Sequence, residues 1–322
     1  MKIDRRKFLK LSAAAGGTAA CSMASPAAAR GPKAPDPNWY GMLNDSTRCI
    51  GCKACQVACK NENKLETEST LGEERELGHQ VYDSPRGLCA NTYTVIKMHQ
   101  DEASGQSTFV KHQCLHCADP ACASSCLVGA LKKQDDGSVK YYGDICMGCR
   151  YCMVACPFSV PQFEWDKALP SITKCTLCSE TRLKNGKPTA CSEACPAEAI
   201  TFGKRNDLLR IAKERIAKDP ERYDENVYGE YEVGGTGVYY LTRKPVSFAA
   251  LGLPDFGYRP VSGLTESIQH RIFQYFIPPI AVYGILGGIM YYNQRKKKNA
   301  GTEGGDNAVS YTHLTLPTKR IV

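Results

Sequence analysis

The middle of this chain has almost no net charge. Residues 31 to 270 hold 28 Lys+Arg against 30 Asp+Glu, and the formal +8 of the 322-residue whole comes from basic residues crowded at its two ends. A surface for phosphate backbones needs clustered cations, so nucleic acid is excluded as a partner. A nucleotide fingerprint is missing too: Gly234-Gly235-Thr236-Gly237 has no clear strand before it and no helix after it, and reads as a loop leading toward a membrane. Long apolar runs are scarce. Past the N-terminal leader one uncharged stretch of membrane length stands out, Tyr275 to Tyr292, which excludes a multi-span membrane protein.

What is abundant is cysteine, and 16 of the 18 fall into four runs of four. Cys49, Cys52, Cys55, Cys59 and Cys146, Cys149, Cys152, Cys156 have the C-x2-C-x2-C-x3-C spacing of bacterial two-cluster ferredoxins. Cys114, Cys117, Cys122, Cys126 widen the middle gap to four residues, and Cys175, Cys178, Cys191, Cys195 widen it to twelve. Pro157 and Pro196 follow the last cysteine of their runs, whereas Lys60 and Leu127 stand where the other two prolines are expected. The total matches the ligand demand of four [4Fe-4S] cubanes. Cysteines two residues apart wrap one face of a cube, and the fourth, a helical turn later, points away toward a neighbouring cluster.

Two other chemistries compete for these thiols. C-x2-C pairs also build structural zinc sites, which suits the fourth run and suits the first and third poorly. Disulfide scaffolds are small secreted domains without a core, unlike a chain of this length. A zinc- or disulfide-stapled binding module is thus the reading of another class. The cysteines outside the runs, Cys21 and Cys89, leave no unassigned C-x2-C pair for a nickel active site, and Cys89 reads as a structural thiol.

The chain's ends speak of location. Asp4-Arg5-Arg6-Lys7-Phe8-Leu9-Lys10, an Ala/Gly stretch and Ala27-Ala28-Ala29 make residues 1–29 a twin-arginine export signal. The 18 residues from Tyr275 to Tyr292 span about 27 Å as a helix, close to bilayer thickness. Aromatic pairs bracket that stretch and Arg295-Lys296-Lys297-Lys298 follows it, which puts the tail in the cytoplasm and the cysteine-rich body on the periplasmic face of the inner membrane. Gly284 and Gly288 form a G-x-x-x-G through which another membrane helix approaches closely.

The expected fold class is α+β, two interleaved bacterial ferredoxin-like dicluster modules with long loops, plus one C-terminal transmembrane helix. Leu131 to Asp144 reads as a hairpin turning at Asp136-Gly137, with short strands at Thr108 to Gln113 and Val160 to Trp165, and runs two and three share this module. Runs one and four close around it as the second module. The domain expectation is the signal at 1–29, a four-cluster domain at 30–220 entered by a Pro-containing lead-in (31–47), a loop-rich connection at 221–270, the span at 271–293 and a basic tail at 294–322. Ser310 to Val322 resembles translated sequencing-adapter read-through and is set aside. The insertion at 60–108 is too long for an ordinary connection and is read as a docking element or a solvated loop. Asp207 to Lys218 carries Leu208, Ile211, Ala212 and Ile216 on one face and stops at Pro220, an amphipathic helix packed on the cluster core.

Five other residues flank the chemistry. His112 and His116 bracket Cys114, with a role behind the ligands or on the surface; His270 precedes the span; Lys174 and Arg150 abut ligands, where positive charge raises cluster potentials.

Asn44 to Cys59, Cys146 to Pro161 and Cys191 to Gly203, with Ser267-Ile268-Gln269-His270 before a single span, resemble the polyferredoxin subunits of membrane-bound respiratory oxidoreductases, nearest the HybA type of periplasm-facing nickel-iron uptake hydrogenases. The resemblance implies a non-catalytic electron relay of four [4Fe-4S] clusters. Its partners would be hydrogenase small and large subunits and a multi-span quinone-reactive membrane subunit; the alternative is the same relay for a molybdopterin enzyme of the formate dehydrogenase or sulfur-compound reductase type. It further implies that Cys59 joins Cys175, Cys178 and Cys191, that Cys195 joins Cys49, Cys52 and Cys55, that Cys126 joins Cys146, Cys149 and Cys152, and that Cys156 joins Cys114, Cys117 and Cys122.

Overall fold

The computed structural model describes residues 33–65, 85, 87–101, 105–263, 283–284, 286–292 and 295. The chain divides into two units, Met1–Gln269 and His270–Val322. In the second, the described residues 283–284, 286–292 and 295 are helical, and Tyr283, Ile289, Met290, Tyr291 and Tyr292 are exposed. Among the described residues no helix is long and apolar enough to cross a membrane. Residues 271–282, 285 and 293 of the expected span lie outside the described residues, as do the export signal, His270, Ser310 to Val322 and positions 66–84, 86 and 102–104 of the insertion.

The first unit is built around a three-stranded sheet in the order β8-β1-β9. Its central strand β1 (Tyr40–Asp45) lies antiparallel to β8 (Ile200–Lys204) and parallel to β9 (Val238–Leu241). Successive side chains of a strand face opposite ways. Met42 therefore joins a core containing Cys55 and Cys191, while Leu43 joins Leu208, Leu209, Ala212, Tyr239 and Leu241 on the other face. Gly41 is demanded by the close parallel pairing, because a Cβ there would sit 2.3 Å from the Gly237 carbonyl oxygen. Two expectations change here: the lead-in contains the central strand, and the stretch read as a loop leading to a membrane turns at Gly237 into the buried strand β9. A sheet flanked on both sides buries a strand on both faces, so neither strand shows the alternation that marks a half-buried one.

Helix α5 (Arg205–Lys218) covers the second face. Asp207 in its first turn and Arg215 and Lys218 in its last suit the helix dipole, and Pro220 prevents continuation. It buries Leu208, Leu209 and Ala212 in a cluster that contains no cysteine, so it packs on the back of the sheet rather than on the cysteine-lined core. Arg215 anchors it by donating to the buried Asp45 carboxylate (2.9 Å), which also accepts from the Tyr223 hydroxyl (3.0 Å).

The cysteine-bearing helices pair across the sequence. The helix α1 (Ala54–Asn63) packs against α4 (Ala190–Glu193), and α2 (Ala121–Ser124) against α3 (Tyr151–Ala155). Runs one and four thus share one half and runs two and three the other. Strands β2 (Thr94–Gln100) and β3 (Ser107–Gln113) form an antiparallel hairpin, so the end of the 60–108 insertion is a strand. The hairpin of β4 (Leu131–Lys133) and β5 (Val139–Tyr141) turns at Gly137, whose φ of +90° and 2.7 Å approach to the Trp39 Cβ admit no side chain. Strands β6 (Gln162–Phe163) and β7 (Ile172–Thr173) pair antiparallel beside them.

Candidate metal centres

One backbone device recurs in every run. The residue two beyond the first cysteine is left-handed each time: Gly51 (φ 72°), His116 (φ 47°), Gly148 (φ 70°) and Leu177 (φ 56°). Such a residue bends the chain around whatever the first two cysteines hold. His116 and Leu177 lack glycine's freedom, and each such conformation costs about 1–3 kcal/mol. A second left-handed residue, Lys53 (φ 59°) or Arg150 (φ 60°), opens the ligand helices of runs one and three. A third sits three residues past the last cysteine, at Gly129, Ser159 and Glu198, in runs two to four. In run one α1 instead continues through Lys60 to Asn63, which is why no proline stands at position 60.

These bends gather the cysteines into sets that cut across the runs. Cys49, Cys52 and Cys55 line one cavity with Cys195. A second is lined by Cys175, Cys178 and Cys191 with Cys59, and a third by Cys114, Cys117 and Cys122 with Cys156. In the fourth set Cys126, Cys146 and Cys152 pack in one core cluster, with Cys149 exposed beside them. Among the described residues no three His, Cys, Asp or Glu side chains converge tightly enough for one metal ion. The first three sets surround a space rather than a point. All sixteen run cysteines are thiols, not half-cystines.

Burial holds most of these cysteines in the neutral thiol form unless a cation reaches them. Burial pushes the Cys55 and Cys59 thiols up to about 12, against the relief offered by Lys111. Burial also raises Cys156 to about 11, and Cys152 to about 11 with further repulsion from Cys126, Cys146 and Cys149. Cys49, Cys117, Cys122, Cys175 and Cys178 shift upward for the same leading reason. Thiolates are the metal-binding form, so ligation here needs positive charge delivered into the cavity, as iron delivers it. Four thiols around a space for several atoms fit a [4Fe-4S] cube. Donors to sulfur are already in place: the Ala130 N–H to Cys126 Sγ (3.1 Å), the Leu177 N–H to Cys175 Sγ (3.5 Å), the Gly148 N–H to Cys146 Sγ (3.5 Å) and Asn63 Nδ2 to Cys59 Sγ (3.6 Å).

Shared core clusters connect the sets in succession. Cys55 and Cys191 share a core cluster, joining the first set to the second. Cys114 and Cys175 share another, joining the second to the third, and Cys122 and Cys152 a third, joining that set to the fourth. Both ends reach solvent. Cys52 and Cys149 are exposed, near Ile50 and Val57 at one end and Met147, Tyr151 and Val154 at the other, all more than half exposed.

His116 is fully buried, which removes its surface reading. Its Nδ1 accepts from the Val139 N–H (2.9 Å), and burial followed by the charge of Lys174 holds it neutral. His112 Nε2 bonds the Leu251 carbonyl (3.0 Å), with its pKa lowered to about 4 by burial and then by Lys97. Neither lines a cysteine cavity. Lys174 does line the third cavity, donating to the Val139 and Cys175 carbonyls. Arg150 places its guanidinium over Phe163 (5.4 Å) and Trp165 (4.9 Å). Cys89 bridges to Thr92 in a short turn of backbone. Sequence reading missed Lys111, a buried lysine lining both the first and second cavities. The signal for it is a lone lysine beside Val110 on a strand that runs into Cys114.

A family model described as a 4Fe-4S dicluster domain matches residues 106–205. The chain is 46% identical over 256 residues to a protein of Nitratidesulfovibrio vulgaris, covering 79% of this chain and 67% of that one. It is 35% identical to the hydrogenase-2 operon protein HybA of Escherichia coli O157:H7, covering 95% of this chain and 99% of that protein. To the iron-sulfur subunit of the nitrate-inducible formate dehydrogenase of Escherichia coli K12 it is 38% identical over 206 residues, 62% of this chain and 66% of the relative. End-to-end likeness to HybA, joined to a dicluster match over the cysteine-rich centre, means that the chain belongs to the HybA-type family of 4Fe-4S iron-sulfur proteins.

Proposed function

We propose that the chain is a non-catalytic relay that carries electrons through four [4Fe-4S] clusters, one in each four-cysteine set. It takes them from a periplasmic hydrogenase and passes them to a quinone-reactive integral membrane subunit. The observation that carries this reading is the unbroken succession of cysteine sets with an exposed thiol at each end. A wire buried along its length and open at both ends suits transfer between two partners. An enzyme would need a substrate site beside one centre.

Within this reading the chain's residues have plain tasks. Cysteines bind iron through thiolate sulfur, backbone N–H groups donate to those sulfurs, and the buried walls exclude water. The clusters, when bound, supply one-electron chemistry. Cys49, Cys52, Cys55 and Cys195 hold one; Cys59, Cys175, Cys178 and Cys191 the next; Cys114, Cys117, Cys122 and Cys156 the third; Cys126, Cys146, Cys149 and Cys152 the last.

Hydrogenase is preferred as the source because the HybA likeness spans 95% of the chain, whereas the formate dehydrogenase subunit matches 62%. In the same reading the twin-arginine leader exports the folded protein, and residues 271–293 anchor it with the basic tail in the cytoplasm. Purification from membranes in mild detergent tests the assembly. A nickel-containing large subunit and a multi-span subunit should co-purify, and a pterin cofactor in their place overturns the choice of source. Anaerobic analysis should find about sixteen irons per chain, and fewer than about twelve would sink four complete cubes. Protease added outside intact spheroplasts should digest the body and spare an epitope placed before Ser310; the reverse pattern would refute the orientation.

A further inference from the structure

Lys111 lies on β3 at 3% exposure, and its side chain lines both the Cys49, Cys52, Cys55, Cys195 cavity and the Cys59, Cys175, Cys178, Cys191 cavity. Its Nζ has no hydrogen-bond partner, and no carboxylate lies with it in the walls of the second cavity. In the first the carboxylate is Asp45, already bound to Arg215 and Tyr223. A buried ammonium with neither counter-ion nor acceptor is among the most unfavourable groups a protein can hold. It persists where anions come to it.

Given the relay proposed above, on which this step rests, those anions are known. A cubane with its four thiolates is negative, and gains one more negative charge when it accepts an electron. A cation fixed between two such centres stabilises each reduced form over its oxidised form, which raises both potentials. We infer that Lys111 is a shared potential-setting residue for the first two clusters of the succession, holding both above the values their buried, thiol-crowded sites would otherwise impose. The downward pull of Lys111 on the Cys55, Cys59 and Cys175 thiols has the same origin. Its carbonyl, by contrast, has a structural task, accepting from the Tyr240 hydroxyl (2.8 Å), and a side-chain substitution leaves that bond in place. Lys174 plays no such double role, because its ammonium is spent on two backbone carbonyls.

The test is a redox titration of the anaerobically purified full chain, followed by paramagnetic resonance, for wild type, Lys111→Met, Lys111→Gln and Lys111→Arg. Two of the four midpoint potentials should fall in the neutral variants, with at least a tenfold drop in the reduced-to-oxidised ratio at fixed potential, 59 mV for a one-electron couple. The other two should stay, and Lys111→Arg should restore the wild-type values. Full iron with all four potentials unmoved, all four moved alike, or Lys111→Arg behaving as Lys111→Met would each overturn the inference. If the neutral variants lose about eight irons while Lys111→Arg keeps them, the charge holds the pair in place rather than setting its potentials, and the inference is overturned. Loss in Lys111→Arg too makes the role one of packing and overturns it. A wild-type chain without iron would defeat the relay itself, and with it this step.

Discussion

Cys114 and Cys175 pack into one buried cluster with Val160, so a cysteine of the third set shares its packing with a cysteine of the second. It is one of the places where the two halves of the fold meet. Each half pairs its own helices, α1 with α4 and α2 with α3, and the shared cluster joins the cysteines of one half to those of the other.

The sets, not the runs, should behave as units. Cys195→Ser is expected to alter the same paramagnetic signal as Cys52→Ser, and Cys59→Ser the same signal as Cys191→Ser. Each single change should cost about four irons per chain or convert one centre to a three-iron form. Cys59→Ser and Cys55→Ser altering one common signal would contradict the exchange.

Leu208 is fully buried on the face of the sheet that holds no cysteine. Leu208→Ala should lower stability by about 2–5 kcal/mol while leaving iron content and all four potentials unchanged. Thermal unfolding followed by circular dichroism, with iron analysis of the folded sample, checks both halves of that statement.

The Arg215–Asp45 ion pair has a fully buried carboxylate and a one-fifth exposed guanidinium. Removing the cation in Arg215→Met leaves the buried charge with the Tyr223 hydroxyl alone among its ionic and hydroxyl partners from beyond the turn, and should cost about 3 kcal/mol. Adding Asp45→Asn should recover part of that loss. Denaturant midpoints for the two single variants and the double variant measure the coupling, and strict additivity would show that the pair does not act as one.

Gly41→Ala places a methyl group 2.3 Å from the Gly237 carbonyl oxygen, backbone against backbone. Neither strand can yield without breaking the β1–β9 pairing, so a loss of about 1–3 kcal/mol is expected, with reduced hydrogen-exchange protection along Val238–Leu241. Unchanged protection there would mean that the parallel pairing is not tight in solution.

Reading by residue type worked where chemistry or local conformation is encoded within a few positions. The cysteine spacing, the Asp136-Gly137 hairpin and the apolar face of α5 are of this kind, because a turn or a helical face is set by near neighbours. Reading failed for Tyr40–Asp45 and Val238–Leu241. Both are strands whose partners lie far along the chain, and covering on both faces erases the alternation that would announce them. His112 and His116 look like candidates for the surface beside Cys114, yet the carbonyl of Leu251 and the N–H of Val139 draw them inward.

By itself the order of amino acids determined how many thiols there are, that they come in fours, and that their spacing suits iron-sulfur cubes, since ligand type and short-range spacing are covalent properties of the chain. Which fourth cysteine closes each set, the succession of the sets, and the seat of Lys111 between two of them were decided only by tertiary structure. Those facts depend on strands and helices distant in sequence being pressed together, and burial and charge act through space rather than along the backbone.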